Sequence, residues 1–189
     1  VLCGKINKNI CSLLGTMGVK AVGLSGKDGG LIGVRKKPAV GGVDLGYVGE
    51  ITSVNADMIE DLCLEDYVPV IASIGTDASG ESYNINADTA AGEVGAAIGA
   101  HKLIYLTDID GIRRDPADPS TLMPEVRVAE VERMIENGTI SGGMIPKVRS
   151  CVTAIKRGIK HVNIVCGTIP HSILVELFTD RGIGTLIRE

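Results

Sequence analysis

The chain has 189 residues, 44% of them hydrophobic, which suits one globular domain or a large part of a bigger protein. Its formal net charge is −4, and no basic stripe alternates with aromatic residues, so the composition argues against a nucleic-acid partner. No apolar run approaches the roughly 18 residues needed to span a bilayer, and no signal-peptide pattern occurs, so no membrane partner is expected.

Helices and strands are predicted to alternate along most of the chain, except that two successive strands, at 31–34 and 45–51, are predicted to form a hairpin. The predicted strands cover residues 20–24, 31–34, 45–51, 67–73, 102–107, 162–165 and 185–187. The predicted helices cover 4–17, a segment capped at Asn55 that carries Met58, Ile59 and Leu62, then 87–98, 128–137, 146–157 and 171–179. The apolar run at 67–73 suggests a central strand, although Pro69 favours the start of a strand or a sheet edge.

This alternation predicts the α/β class, with a mainly parallel sheet covered by helices on both faces, which is a three-layer αβα sandwich. No repeat, low-complexity segment or linker divides the sequence, so residues 1–189 are predicted to form a single domain. The five cysteines form no C-x-x-C pair and are expected to be reduced and mostly buried, as in a cytoplasmic protein.

Several ligand-binding motifs fail on spacing. The segment at 21–28 lacks the first glycine and the final Ser or Thr of a Walker loop. Asp108 and Asp110 do not begin a calcium loop, because Gly111 comes too early and Pro119 stands where the bidentate Glu is required. No G-x-G-x-x-G follows a strand, and the three histidines have no metal-ligand spacing. We therefore predict no resident metal site.

Two glycines, Gly142 and Gly143, precede the predicted helix that contains Lys147. The first N–H groups of a helix lack intrahelical partners, and with the positive end of the dipole they form an anion site. A lysine in the first turn is disfavoured by that dipole and therefore suggests an anionic ligand. An ordinary Gly-Gly turn explains the same residues equally well.

Asn84, Asn86 and Asp88 occupy alternate positions before an alanine-rich helix. In an extended segment their side chains would share one face. The alternative is that they are turn and N-cap residues of that helix. Together with a second anion-binding helix start, they would suit phosphoryl transfer, in which a protein mainly positions the reactants and neutralises charge. Asp88 would then hold lysines rather than act as a base.

At these residues the chain resembles the amino-acid kinase family, in particular the branch that phosphorylates the γ-carboxylate of N-acetyl-L-glutamate in arginine biosynthesis. The resemblance extends along almost the whole chain, and the block that begins at Tyr83 is its most specific part. The similar blocks are residues 21–30, 46–50, 83–92, 106–108, 111–112 and 142–147.

The resemblance implies the fold, the ligands and the site residues. Asn84 and Asn86 would bind N-acetylglutamate, Asp88 would position the catalytic lysines, and Lys147 would contact the transferring phosphate. The residues expected to line the ATP pocket are Thr107, Asp108, Gly142, Gly143, Met144 and Lys147. Magnesium would arrive with ATP. A carboxylate acceptor is already ionised at neutral pH, so no general base is required.

In this family a second phosphate-binding lysine, two glycine-rich loops and an arginine for the substrate carboxylate come from an N-terminal region that precedes the matched blocks. None of these lies ahead of the matched blocks in this sequence. The resemblance therefore implies an incomplete catalytic unit, and a truncated sheet is expected to self-associate or to be marginally stable.

The blocks at 171–176, 179–180 and 182–185 resemble the arginine-inhibited, hexameric branch, which PII-type signalling proteins bind in photosynthetic organisms. That branch implies a homo-oligomer and an arginine effector site bordered by Glu176 and Gly182. The alternative is that Glu176 is a solvated helix residue. Relatives often read His-Ile-Ile-Asp-Gly where this chain has residues 163–167, which leaves arginine control open.

Two other functions remain open from the sequence. One is a non-catalytic module of the same fold that senses nucleotide or arginine. The other is a sibling kinase that acts on another amino acid or on UMP. The expected location is the cytoplasm, or the plastid stroma if the source is a plant or alga.

Overall fold

The computed structural model describes residues 1–39, 41–179 and 182–189. The chain divides into two compact units, Val1–Ile98 and Gly99–Glu189. Within the described residues, no helix combines the length and the apolar content that crossing a bilayer requires.

The described part of the first unit contains three α-helices and six strands. After a π-helical turn at Leu2–Ile6, the helices are α1 (Asn7–Thr16), α2 (Ala56–Leu64) and α3 (Ala87–Ala97). The strands are β1 (Ala21–Ser25), β2 (Ile32–Lys36), β3 (Gly49–Val54), β4 (Val68–Ala72), β5 (Ile74–Thr76) and β6 (Ser82–Asn84). Strands β1 and β4 form a parallel pair, and the other four form a sheet in the order β3-β2-β5-β6.

The core of the first unit lies where β2, α2 and the segment after β5 meet. Its buried members are Leu31, Ile32, Val34, Ile59, Tyr83, Ile85 and Ala90. Asn55 caps α2 as the sequence predicts, since its side chain accepts a hydrogen bond of 3.4 Å from the N–H of Met58. This core fixes β6 and the start of α3, which carry the Tyr83 block.

The apolar residues of α1 are more exposed than an amphipathic helix predicts. Ile10, Leu13 and Met17 are 42%, 58% and 68% exposed. The helix contacts β1 and β4, and its buried residue is Asn7, whose amide donates to the carbonyls of Leu24 (3.3 Å) and Val70 (2.6 Å). The periodicity predicted the helix correctly, but within the described residues much of its apolar side remains exposed.

In its described residues, the second unit has three α-helices, a short 3-10 helix at Pro119–Thr121 and four strands. The helices are α4 (Val128–Glu136), α5 (Met144–Lys156) and α6 (Ser172–Phe178). The strands are β7 (Lys102–Thr107), β8 (Glu125–Arg127), β9 (His161–Cys166) and β10 (Thr185–Arg188). They form a sheet in the order β7-β9-β10-β8, in which β9 and β10 are antiparallel and the other neighbours are parallel.

Strand β9 is the centre of the second unit. Every residue from Val162 to Cys166 is buried, and helices α5 and α6 both contact the strand. Such continuous burial is expected for a strand covered on both faces, because both sets of alternating side chains then meet a packing partner. The ladder with β7 runs in register from Lys102 opposite His161 to Thr107 opposite Cys166.

The predicted α/β class is confirmed, and the longer elements agree with prediction to within a few residues. The second hairpin strand is shifted, since it begins at Gly49 rather than at Leu45, and α5 begins at Met144 rather than near Pro146. Strands β5, β6 and β8 were not predicted. All five cysteines are free, but only Cys151 and Cys166 are buried, so the expectation of mostly buried thiols was wrong.

Candidate active site

Along β6 and the residues that follow it, side chains of the Tyr83 block alternate between a buried face and an exposed face. The side chains of Tyr83 and Ile85 are buried, with 8% and 2% of their surface exposed. The alternating residues Asn84 and Asn86 are exposed to solvent. Tyr83 is further fixed by its hydroxyl, which donates to a carboxylate oxygen of Asp77 at 3.2 Å. The side chains of Asn84 and Asn86 therefore share one solvent-facing side, as the alternation predicts.

A second block of the sequence lies against this strand. The N–H of Asn84 donates to the carbonyl of Tyr47 at 2.8 Å, and Val48 forms an isolated parallel bridge with Asn84. The rings of Tyr47 and Tyr83 lie with centroids 6.1 Å apart. The blocks at 46–50 and 83–92, which are far apart in sequence, are therefore adjacent at Asn84.

Asn86 caps helix α3. Its side-chain oxygen accepts from the N–H of Thr89 at 3.0 Å and from the Thr89 hydroxyl at 3.3 Å. The helix begins at Ala87, so Asp88 lies in its first turn and not in an extended segment. The alternative that these polar residues belong to the turn and N-cap of the helix is therefore confirmed for Asn86, and the interpretation in which all three alternate along one extended stretch is wrong for Asp88. A carboxylate in the first turn is favoured by the helix dipole.

In the second unit, the carboxyl ends of β7 and β9 bring two loops together. The N–H of Gly167, just after β9, donates to the carbonyl of Thr107 at 2.8 Å. The Thr107 hydroxyl donates to Asp108 at 3.2 Å, and Asp108 is exposed. Cys166 pairs with Thr107 in the β7–β9 ladder. Hydrogen bonds from the Thr168 hydroxyl and from nearby N–H groups hold the pKa of the Cys166 thiol below its ordinary value. Thr107 and Asp108 are thus presented at one edge of the sheet.

The Gly142–Gly143 turn lies directly before α5. Gly142 has a φ of +54°, in the left-handed region that favours glycine, and the Met144 N–H closes the turn on the Ser141 carbonyl at 3.2 Å. Both glycines are exposed, and the space around each is open, since a Cβ added at either would meet no atom within 4 Å. The turn therefore leaves room for a ligand at the positive end of α5.

Lys147 lies one turn into α5 and is half-buried. Its Nζ is 5.6 Å from the centroid of the Tyr105 ring. Tyr105 belongs to β7, two residues before Thr107, so the two side chains point to the same face of the strand. Tyr105, which the sequence did not single out, thus lies beside Lys147 and on the same face of β7 as Thr107.

A cavity of about 150 Å³ opens beside the start of α5. Ser141 and Met144 line it on one side, and Asp110 and Arg113 on the other. The Arg113 guanidinium donates to both carboxylate oxygens of Asp110, each at 3.0 Å. Sequence reasoning had rejected Asp110 as a calcium ligand and had not considered Arg113, although the spacing of the two residues is typical of a local ion pair.

The first unit contains Asn84 and Asn86, which are predicted to bind the phosphoryl acceptor, and Asp88. The residues predicted to bind the nucleotide lie in the second unit. Among the described residues, no group of three or more His, Cys, Asp or Glu side chains is arranged to hold a metal ion.

Glu176 is buried, at 8% exposure, so the alternative of a solvated helix residue was wrong. Its carboxylate accepts hydrogen bonds from the N–H groups of Ile183 (2.8 Å) and Gly184 (3.1 Å) and from the side-chain amide of Asn163. Gly182 has a φ of +59°, and a Cβ there would lie 2.5 Å from a Glu176 oxygen. Glu176 therefore holds the segment that begins at Gly182. Asp180, which belongs to the predicted effector motif, lies outside the described residues.

Comparison with known proteins gives consistent results. The sequence profile of the amino acid kinase family matches residues 1–166. The chain is 49% identical over 195 residues to an acetylglutamate kinase of Heliobacterium modesticaldum and 50% identical over 187 residues to one of a Nostoc species. These matches cover 99% of this chain in both cases, and 66% and 62% of the respective relatives. The chain thus spans somewhat less than two thirds of the length of these curated relatives.

Structural comparison finds an N-acetylglutamate synthase from Neisseria gonorrhoeae, solved with coenzyme A and N-acetyl-glutamate. It superposes with a TM-score of 0.88 at 27% sequence identity, over 98% of this chain and 42% of the synthase. The α/β sandwich expected from the sequence is confirmed by this match.

The capping role of Asn86 can be tested by mutation. Asn86→Ala removes the acceptor for the Thr89 N–H and is expected to lower the free energy of unfolding by about 1 kcal/mol. Asn86→Asp keeps an acceptor and adds a favourable charge at the helix start, so it should be neutral. Urea denaturation measures both. An unchanged stability in Asn86→Ala would contradict the capping role.

The Glu176 contacts predict a graded effect in the second unit. Glu176→Ala leaves two backbone donors and the Asn163 amide without acceptors and should cost about 2–3 kcal/mol. Glu176→Gln should keep most of the stability, because Asn163 Oδ1, which has no partner in the described structure, can accept from the new amide after the Asn163 amide flips. Equal losses in the two variants, measured by urea denaturation, would contradict this network.

Proposed function

This chain belongs to the amino acid kinase family, and we propose that it contributes to transfer of the γ-phosphoryl group of ATP to the γ-carboxylate of N-acetyl-L-glutamate. The proposal is supported by 49–50% identity to acetylglutamate kinases along nearly the whole chain. Since those matches cover 62–66% of the relatives, we propose the complete reaction for a protein of the relatives' length.

The observation that carries the proposal is the glycine turn at the start of α5. Gly142 and Gly143 are exposed, the space around them is open, and Lys147 follows in the next turn. We propose that the phosphates of ATP bind at this helix start, where backbone N–H groups and a lysine meet the negative charge. Met144, Thr107 and Asp108 would line the remainder of the nucleotide site, next to the cavity that Arg113 borders.

We propose that the first unit contributes part of the acceptor site. Asn84 and Asn86 present amide groups on one exposed side of the Tyr83 block, where they can donate to the carboxylate and acetyl oxygens of acetylglutamate. Asp88, in the first turn of α3, would hold the catalytic lysines in position. Both units would then be parts of one amino-acid kinase domain that covers residues 1–189.

The chemistry asks little of the protein beyond position and charge. The acceptor carboxylate is already ionised at neutral pH, so no base has to remove a proton from it. The attacking oxygen and the phosphates are both negative, so Lys147 and the N–H groups at the start of α5 would offset their repulsion. When bound with ATP, Mg²⁺ would neutralise further phosphate charge.

Regulation and assembly are also proposals. We propose an arginine effector site bordered by Glu176 and Gly182, a homo-oligomeric protein, a cytoplasmic or plastid location, and PII-type proteins as candidate partners. The buried Glu176 carboxylate supports the effector site only indirectly, since in this structure it binds the chain's own N–H groups.

A second candidate function is a non-catalytic binding module. It is favoured by the TM-score of 0.88 to an N-acetylglutamate synthase whose structure contains coenzyme A and N-acetyl-glutamate. Such a module would bind N-acetylglutamate or arginine without using ATP. A kinase that acts on another amino acid or on UMP would instead bind ATP but fail to respond to acetylglutamate.

Thermal unfolding with Mg-ATP tests the kinase proposal. At about one hundred times the dissociation constant, the nucleotide should stabilise the chain by about 2.7 kcal/mol. Lys147→Ala should weaken Mg-ATP binding by tenfold or more, since charge-assisted hydrogen bonds contribute about 1.5–3 kcal/mol. Lys156→Ala, an exposed lysine in the last turn of the same helix, is the matched control and should leave binding unchanged.

The opposite results would favour the second candidate. A chain that is stabilised by arginine or acetylglutamate but not by Mg-ATP would behave as a binding module. If Lys147→Ala and Lys156→Ala weaken Mg-ATP binding equally, the start of α5 is not part of the nucleotide site.

A further inference from the structure

The Lys147 ammonium lies over an aromatic ring that is fixed by packing. The distance from Nζ to the centroid of Tyr105 is 5.6 Å, within the roughly 6 Å at which a cation and a ring attract each other. Tyr105 is only 4% exposed, and it pairs with Ile164 in the β7–β9 ladder. The ring therefore has little freedom, whereas a lysine side chain has four rotatable bonds.

An aromatic residue is unusual at this position in this chain. Only 3% of the residues are aromatic, and the chain has one Phe and four Tyr. The neighbours of Tyr105 in β7 are aliphatic, and the buried core consists almost entirely of aliphatic side chains.

The Tyr105 ring also offsets an unfavourable electrostatic interaction of Lys147. A lysine near the start of a helix is disfavoured by the positive end of the dipole, which tends to drive the ammonium away. The negative face of an aromatic ring attracts the ammonium and offsets part of this repulsion. Tyr105 and Thr107 share one face of β7, so the ring holds the ammonium on the side of the strand where Thr107 is presented.

We propose that Tyr105 is a positioning residue that holds the Lys147 ammonium at the start of α5, ready to contact the phosphates of a bound nucleotide. This inference rests on the proposed ATP site, and it adds to that site a residue that makes no contact with the nucleotide itself. The ring, rather than the hydroxyl, performs the role.

Three variants and two measurements test it. Tyr105→Phe keeps the ring, Tyr105→Leu removes it, and Tyr67→Leu removes a comparable ring that lies 5.7 Å from Lys20 in the first unit. The first measurement is NMR of the Lys147 side chain, assigned by its loss in Lys147→Ala. Ring currents should shift its methylene protons upfield in the wild type and in Tyr105→Phe, and this shift should vanish in Tyr105→Leu.

The second measurement is the dissociation constant of Mg-ATP by calorimetry. Tyr105→Leu should weaken binding by roughly fivefold, while Tyr105→Phe and Tyr67→Leu should leave it unchanged. The same Tyr105→Leu change made in Lys147→Ala should have no further effect, because the ring acts only through the lysine. If Tyr105→Leu does not fold, Tyr105→Met replaces it, since it fills a similar volume without a ring.

The inference is overturned if the Lys147 shift is absent in the wild type, or if Tyr105→Leu weakens binding as much in the Lys147→Ala background as in the wild type. A wild-type chain that shows the shift but binds no Mg-ATP would instead refute the proposed function. The two failures are therefore distinguishable.

Discussion

The second unit depends on the parallel pairing of β7 with β9. Six residues pair in register, from Lys102 with His161 to Thr107 with Cys166, and β9 is buried along almost its whole length. Because the register is fixed, both strands end at the same level and their following loops meet. A slip of one residue would turn every side chain of β7 to the opposite face and would separate Tyr105 from Lys147.

Most of what makes the second unit a candidate nucleotide site follows from that ladder. It presents Thr107 and Asp108 at the sheet edge, and it packs α5 against β9 so that the glycine turn opens toward solvent. The same strand carries Asn163, whose amide joins Glu176 to the last segment of the chain. One buried strand thus supports both the proposed phosphate site and the proposed effector region.

The sequence predicted the long elements well, because helical and strand periodicity repeats several times within each of them. It missed β5, β6 and β8, since three residues are too few to display a period. The sequence left open whether Asp88 belongs to an extended stretch or to the helix, because the pattern alone does not show that Asn86 is the cap. The contacts of Glu176 with Asn163 and of Lys147 with Tyr105 join segments that are distant in sequence. Such contacts cannot be predicted from a single sequence. For α1 the sequence predicted more burial than the structure shows. Helical periodicity predicts an apolar side, but it does not show whether another element covers that side.

The central claim is that ATP phosphates bind at the start of α5. The most direct measurement is the backbone amide NMR spectrum of this chain, titrated with Mg-ATP and assigned residue by residue. If the phosphates bind there, the largest shifts will occur at Gly142, Gly143 and Met144, with further shifts at Thr107 and Asp108. Saturable binding whose shifts cluster elsewhere, with the amides of the glycine turn unmoved, would contradict it.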